Sequence, residues 1–151
     1  MNSTNSSNKL DSNLISIVGY GTFITRGYWK DKLNVEVCTV NNFIRIFPEG
    51  NWFPYALPLK KSSFRALKFC ISKEELKELD VYEGVSTGLF TRIETEIMLK
   101  NNRMTKAFIY VPTENTIISQ KLTPEIDKND KWKEEIKKIH EIVEKFPELI
   151  L

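Results

Sequence analysis

The chain has 151 residues, long enough for one domain that buries roughly 70% of its unfolded surface without disulfide staples. Its 22 Lys and Arg nearly balance its 20 Asp and Glu, for a formal net charge of +2, so no concentrated basic face calls for nucleic acid. No apolar run approaches the ~20 residues that cross a bilayer, and the first residues lack the basic and apolar blocks of a secretion signal, so a cytoplasmic protein with no membrane partner is expected.

Residues 1–13 are rich in Ser and Asn, a composition that predicts a flexible tail ahead of a single domain over 14–151. Ile15 to Gly19 reads as a first strand. A loop follows around Phe23 and Ile24, punctuated by Gly19, Gly21 and Gly27. Residues 35–47 are β-rich and predict one long strand, or two broken at Asn41-Asn42. Residues 48–54 carry Pro, Gly and Asn and predict a turn, and Phe64 to Ile71 predicts another strand. Trp52, Phe53 and Tyr55 fit either a packed turn or the mouth of a cavity. Ser72-Lys73-Glu74-Glu75 is a capping box, with Ile71 and Leu76 at the staple positions, so a helix is expected over 73–80 with Leu76 and Leu79 inward. Gly84 is its expected stop, and Glu83 stands at the junction. Residues 89–100 then alternate as a strand, Asn101-Asn102 turns the chain, and Met104 to Val111 returns. A polar connector leads to a helix over about 130–145. Its residues Trp132, Ile136, Ile139, Val143 and Phe146 form one apolar stripe. This stripe fits core more readily than a partner surface, although a homodimer contact is compatible with it. The order of elements predicts an α+β fold with a mixed, largely antiparallel sheet curled into a small barrel with flanking helices.

Several chemistries drop out. Cys38 and Cys70 lie in strand-like stretches at a spacing unlike a zinc site, and read as buried thiols. The only histidine, His140, is expected on the terminal helix as a partly buried residue, so histidine-based triads and metal sites are nearly excluded. No Walker-type or dinucleotide-type glycine loop is present. No metal and no cofactor is expected. Carboxylates remain as the acid–base candidates. Two distant segments stand out among them. The turn at Tyr20-Gly21-Thr22-Phe23 can offer consecutive backbone N–H groups to an anion. Glu83 lies directly before a glycine at a helix end.

These segments carry a resemblance. Ile17-Val18-Gly19-Tyr20-Gly21-Thr22-Phe23, with Gly27 downstream, resembles the opening motif of the gamma-glutamylcyclotransferase-like family. Leu79-Asp80-Val81-Tyr82-Glu83-Gly84-Val85, followed by Phe90-Thr91-Arg92, resembles its central motif, and Ala107-Phe108-Ile109-Tyr110-Val111 is similar to its late strand. The resemblance spans roughly residues 15–112. It implies a curled mixed sheet enclosing a cavity, with Glu83 as general acid–base and Tyr20, Gly21, Thr22 and Phe23 as the substrate-binding loop. It also implies cyclisation of a γ-glutamyl group to 5-oxoproline with release of the attached amine. Phe23 stands where the family commonly has leucine, which keeps the loop apolar. Phe90 stands where tyrosine is frequent, which removes a hydroxyl and leaves substrate choice open.

For the neighbouring residues two roles stay open. Arg92 can pair with a carboxylate or touch substrate, Tyr110 can be core with a bonded hydroxyl or touch substrate, and Asp80 fits a helix-end role. A small γ-glutamyl substrate is the expected partner of a monomer or homodimer. Its leaving group could be an amino acid, a lysine isopeptide, a glutathione-like peptide, or a polyketide- or aminoglycoside-linked amine. The competing functions are a non-catalytic module of the same fold that binds a small anionic metabolite, and a β-rich nucleic-acid binder.

Overall fold

The computed structural model describes residues 13–151, so all but the last residue of the expected tail lies outside the described residues. Strand β1 (Ile15–Gly19) leads into a one-turn helix α1 (Thr22–Thr25) and a 3-10 turn (Tyr28–Asp31). The long strands β2 (Leu33–Ile46) and β3 (Tyr55–Ile71) follow, then helix α2 (Lys73–Tyr82). The hairpin strands are β4 (Phe90–Met98) and β5 (Met104–Pro112), and α3 (Glu114–Ser119), α4 (Trp132–Lys137) and α5 (His140–Lys145) close the chain.

The strands form a closed barrel in the order β1-β3-β2-β4-β5. All neighbours run antiparallel except β1 and β5, which meet in parallel where Ile17 faces Phe108. Period-two alternation explains why both faces of these strands are apolar. Val18, Ala66 and Ile109 join one buried cluster with Val40, Ile97 and Ala107, all from strands. Their chain neighbours Ile17, Leu67 and Tyr110 join a second cluster with Leu76 and Leu79 of α2 and Trp132, Ile136 and Ile142 of the terminal segment. The first cluster fills the barrel, and the second lies between the barrel wall and the helices.

Local chemistry sets the element ends. Ser72 accepts from the Glu75 N–H, and the Glu75 side chain accepts from the Ser72 N–H, so the capping box is formed. At the other end of α2, Gly84 has φ +68°, and the Val85 N–H reaches back to the Asp80 carbonyl at 3.0 Å. This is a left-handed glycine stop, and it runs α2 two residues past the expected Asp80. Asn101 and Asn102 both take positive φ in the β4–β5 turn. β2 is one strand with a register shift at Asn41/Phe43, where Asn42 has φ 65°. Cys38 and Cys70 are buried free thiols.

Four expectations are corrected. β3 begins at Tyr55 rather than Phe64, because the residues across the irregular stretch around Lys61 still pair with Phe43 to Ile46. The polar connector holds the short helix α3, capped by Thr113. The terminal helix is two helices, since Ile139 is extended (φ −103°, ψ 96°). The break turns the apolar face, so Ile142 rather than Val143 is buried, and Phe146 packs edge-to-face on Trp29 at 5.1 Å. Tertiary packing overrides the single straight stripe here. The break also leaves His140 exposed at the start of α5, contrary to the partly buried position expected. Among the described residues no helix is long and apolar enough to cross a membrane.

Candidate active site

The turn after β1 and the end of α2 face one hollow. A cavity of about 310 Å³ is lined by Val18, Tyr20, Gly21, Thr22, Phe23, Trp52, Phe53, Pro54, Tyr82, Glu83, Leu89, Phe90 and Tyr110. Glu83 is the only charged residue of this lining. It caps α2 in helical conformation (φ −81°, ψ 0°) and follows Leu76 by seven residues and Leu79 by four. That spacing puts it on the same inward helix face as both leucines. Glu83 is partly buried, and among the described residues nothing donates a hydrogen bond to its carboxylate. Burial alone pushes its pKa up to about 7.

The turn at Tyr20 to Phe23 lines the same cavity. Gly21 takes φ −125° and ψ −113°, and a Cβ there would stand 2.8 Å from Cδ and 2.9 Å from Cγ of Pro54. Only glycine lets the loop approach the proline ring this closely. The Gly21 carbonyl accepts from the Ile24 N–H at 3.0 Å and starts α1. The Thr22 and Phe23 amides precede that first bond, so they have no intrahelical acceptor.

A set of buried and half-buried contacts holds the two walls in register. Tyr20 Oη donates to the Tyr110 carbonyl at 2.6 Å, tying the end of β1 to β5. Tyr110 Oη donates to Asp80 Oδ1 at 2.7 Å, and Arg92 Nε lies 3.1 Å from the same oxygen. Asp80 is thereby fixed from both hairpin strands, one helical turn before Glu83. On the loop side, Arg45 Nη1 donates to the Tyr20 carbonyl at 2.8 Å, while Nε and Nη2 grip the two Asp130 oxygens at 2.7 and 2.8 Å. Burial raises the pKa of Tyr20 and of Tyr110, with nearby Glu83 adding to both, so both phenols stay neutral donors.

Glu83, Tyr20, Gly21, Thr22, Phe23 and Tyr110 therefore line one cavity, and Arg92 does not. The Arg92 guanidinium pairs with Asp80 and lies over the Phe108 ring, 4.8 Å from its centroid. Trp52 and Phe53 line the cavity, whereas Tyr55 lies behind them, stacked on Phe90 and donating to Gln120. Sequence reasoning missed Tyr82, Pro54 and Leu89. The signal for Tyr82 was present, since it follows Leu79 by three residues and so continues the inward face. Nothing local in the sequence points to Pro54, which meets Gly21 only through the fold. Among the described residues no three His, Cys, Asp or Glu side chains cluster closely enough to hold a metal.

A five-stranded barrel with one unpaired carboxylate facing a backbone turn across a small cavity defines the class. The family model for gamma-glutamyl cyclotransferase, AIG2-like proteins matches residues 18–134, and the chain belongs to that family. No curated protein matches the sequence. Solved structures share the fold at low identity. A solution structure of an Arabidopsis thaliana protein is 20% identical with a TM-score of 0.62, covering 88% of each chain. A mouse AIG2-like protein is 19% identical with a TM-score of 0.55, covering 76% of this chain and 82% of its own. A yeast gamma-glutamyl cyclotransferase described as specific to glutathione is 13% identical with a TM-score of 0.56, covering 91% and 94%.

Proposed function

We propose that the protein cyclises a γ-glutamyl amine or peptide to 5-oxoproline, with Glu83 as general acid–base. The observation that carries this reading is the position of Glu83: an unpaired, partly buried carboxylate with its pKa raised to about 7, across one cavity from the Tyr20 to Phe23 backbone.

A γ-glutamyl compound holds its own nucleophile, since its α-amine can attack its γ-carbonyl and close a five-membered ring. The protein therefore needs no Ser or Cys. It must fold the substrate so that amine and carbonyl meet, an effect worth up to about 7–11 kcal/mol in the best intramolecular cases. The amides of residues 21–23 receive the substrate α-carboxylate, which points the α-amine at Glu83. Free α-amines titrate near ~8, so the amine arrives mostly protonated, and a carboxylate with a pKa near 7 is well matched to remove that proton. As the carbon–nitrogen bond of the amide breaks, the same group returns the proton to the leaving nitrogen, and it then carries a second proton from the ring nitrogen to the departing amine, which leaves as an ammonium. The apolar walls at Val18, Phe23 and Phe90 keep water away while this happens.

The test is incubation with a panel of γ-glutamyl amides, measuring 5-oxoproline. Glu83→Gln is expected to lower turnover by at least ~10²-fold while ligand binding persists. Undiminished turnover in that variant removes Glu83 from the mechanism. Binding without turnover in the unaltered protein favours the metabolite-binding module instead.

A further inference from the structure

The floor of the cavity accounts for the γ-glutamyl half of a substrate, and the mouth has a chemistry of its own. Trp52 and Tyr82 are 59% and 57% exposed, and Leu89 is 38% exposed. Single exposed apolar side chains are ordinary, but these three converge on one opening. Trp52 is braced from two sides. Its ring sits edge-to-face on Phe53 at 4.8 Å, and the Arg26 guanidinium lies 4.8 Å from its centroid. Phe53 in turn packs on Tyr55 and Phe90 in the core. Tyr82 rests against Phe23 at 6.3 Å. The platform is thus formed before any ligand arrives, which lowers the cost of binding.

We propose that the leaving half of the substrate is an aromatic or bulky apolar amine seated on Trp52 and Tyr82. This rests on the cyclotransferase reading above. With the α-amine at Glu83 and the α-carboxylate at the loop, whatever is attached to the γ-carbonyl emerges at the mouth. No carboxylate other than Glu83 lines the cavity to neutralise a cationic leaving group. Glu78 lines an adjoining hollow that shares Tyr82 with this cavity, but it does so together with Arg26, whose charge beside Trp52 opposes a cation approaching this face. The reaction balances without a co-reactant: the bond from the α-nitrogen to the γ-carbon forms, the amide bond to the leaving nitrogen breaks, and two protons pass from the first nitrogen to the second, so an ammonium substrate releases an ammonium product.

The experiment compares kcat/KM for γ-glutamyl-phenylalanine, γ-glutamyl-glycine and the γ-glutamyl isopeptide of lysine. Burying a phenyl ring against aromatic side chains is expected to favour the phenylalanine compound by about 10–100-fold over the glycine compound. In Trp52→Ala the ratio between those two substrates is expected to fall to within about 3-fold, and in Trp52→Phe, which keeps a ring, most of it is expected to persist. Equal kcat/KM for all three substrates, a preference for the lysine compound, or a ratio untouched by Trp52→Ala overturns the proposal and leaves the cyclotransferase reading standing. Absence of 5-oxoproline from every substrate overturns both.

Discussion

Glu83→Gln has a consequence for stability that is separate from its effect on turnover. Burial lifts the carboxyl from an ordinary 4.5 to about 7 in the folded protein. At about 1.4 kcal/mol per pH unit, this corresponds to about 3–4 kcal/mol at most held against the folded state once the group is ionised. The sign follows from where the proton sits. Below pH 4.5 the carboxyl is protonated in both the folded and the unfolded chain, and no penalty exists. Between pH 4.5 and 7 the unfolded chain releases its proton first, so stability falls as pH rises. Above pH 7 the penalty is complete. Glutamine does not titrate, so the variant escapes this term while every other group titrates as before. Urea unfolding of both proteins at pH 4.5, 6 and 8 isolates it as a difference. The variant is expected to gain on the unaltered protein as pH rises, by at most about 3 kcal/mol at pH 8 relative to pH 4.5. A difference that stays constant across this range would refute the claim that Glu83 is desolvated. An enzyme that accepts such a penalty at a working carboxylate would be trading stability for a useful pKa.

Two further substitutions probe the loop and its support. Gly21→Ala places a methyl against the Pro54 ring, so the turn or the proline must move; a loss of about 1–3 kcal/mol in urea midpoints and a raised KM are expected. Arg45→Ala strands the mostly buried Asp130 carboxylate and frees the Tyr20 carbonyl, so a loss of about 3–5 kcal/mol is expected by chemical denaturation. Arg45→Ala combined with Asp130→Ala is expected to lose less than the sum of the two single variants, because the stranded charge is gone.

Much of the fold was legible because its determinants are local. The capping box at Ser72, the glycine stop at Gly84 and the Asn101-Asn102 turn each act within a few residues, and the ends they define lie within two residues of where the sequence puts them: α2 runs two residues past Asp80, and β4 stops at Met98, two residues before Lys100, which opens a 3-10 turn. The barrel's closure was legible only as a tendency to curl, since no local signal announces that Ile17 meets Phe108. The terminal helix misled because a clean stripe from Trp132 to Phe146 predicts a straight rod, whereas packing around Trp29 and Phe146 favours a break at Ile139. In the site, Glu83 and the Tyr20 to Phe23 turn were legible because short motifs carry them. Arg45 was not. It sits between Ile44 and Ile46 near the end of a β-rich run, and its partners, the Tyr20 carbonyl and Asp130, lie 25 and 85 residues away.

The parallel seam between β1 and β5 also has a bearing on how the molecule is made. Among the described residues β1 precedes every other strand in the chain, yet one of its two neighbours lies around residue 108. Until that part of the chain emerges, the segment bearing Tyr20 has no Tyr110 carbonyl to meet and the hollow beside it has no far side. The cavity is therefore completed only once β5 has emerged, and a nascent chain halted before β5 would carry the whole Tyr20 to Phe23 turn without the wall that encloses it.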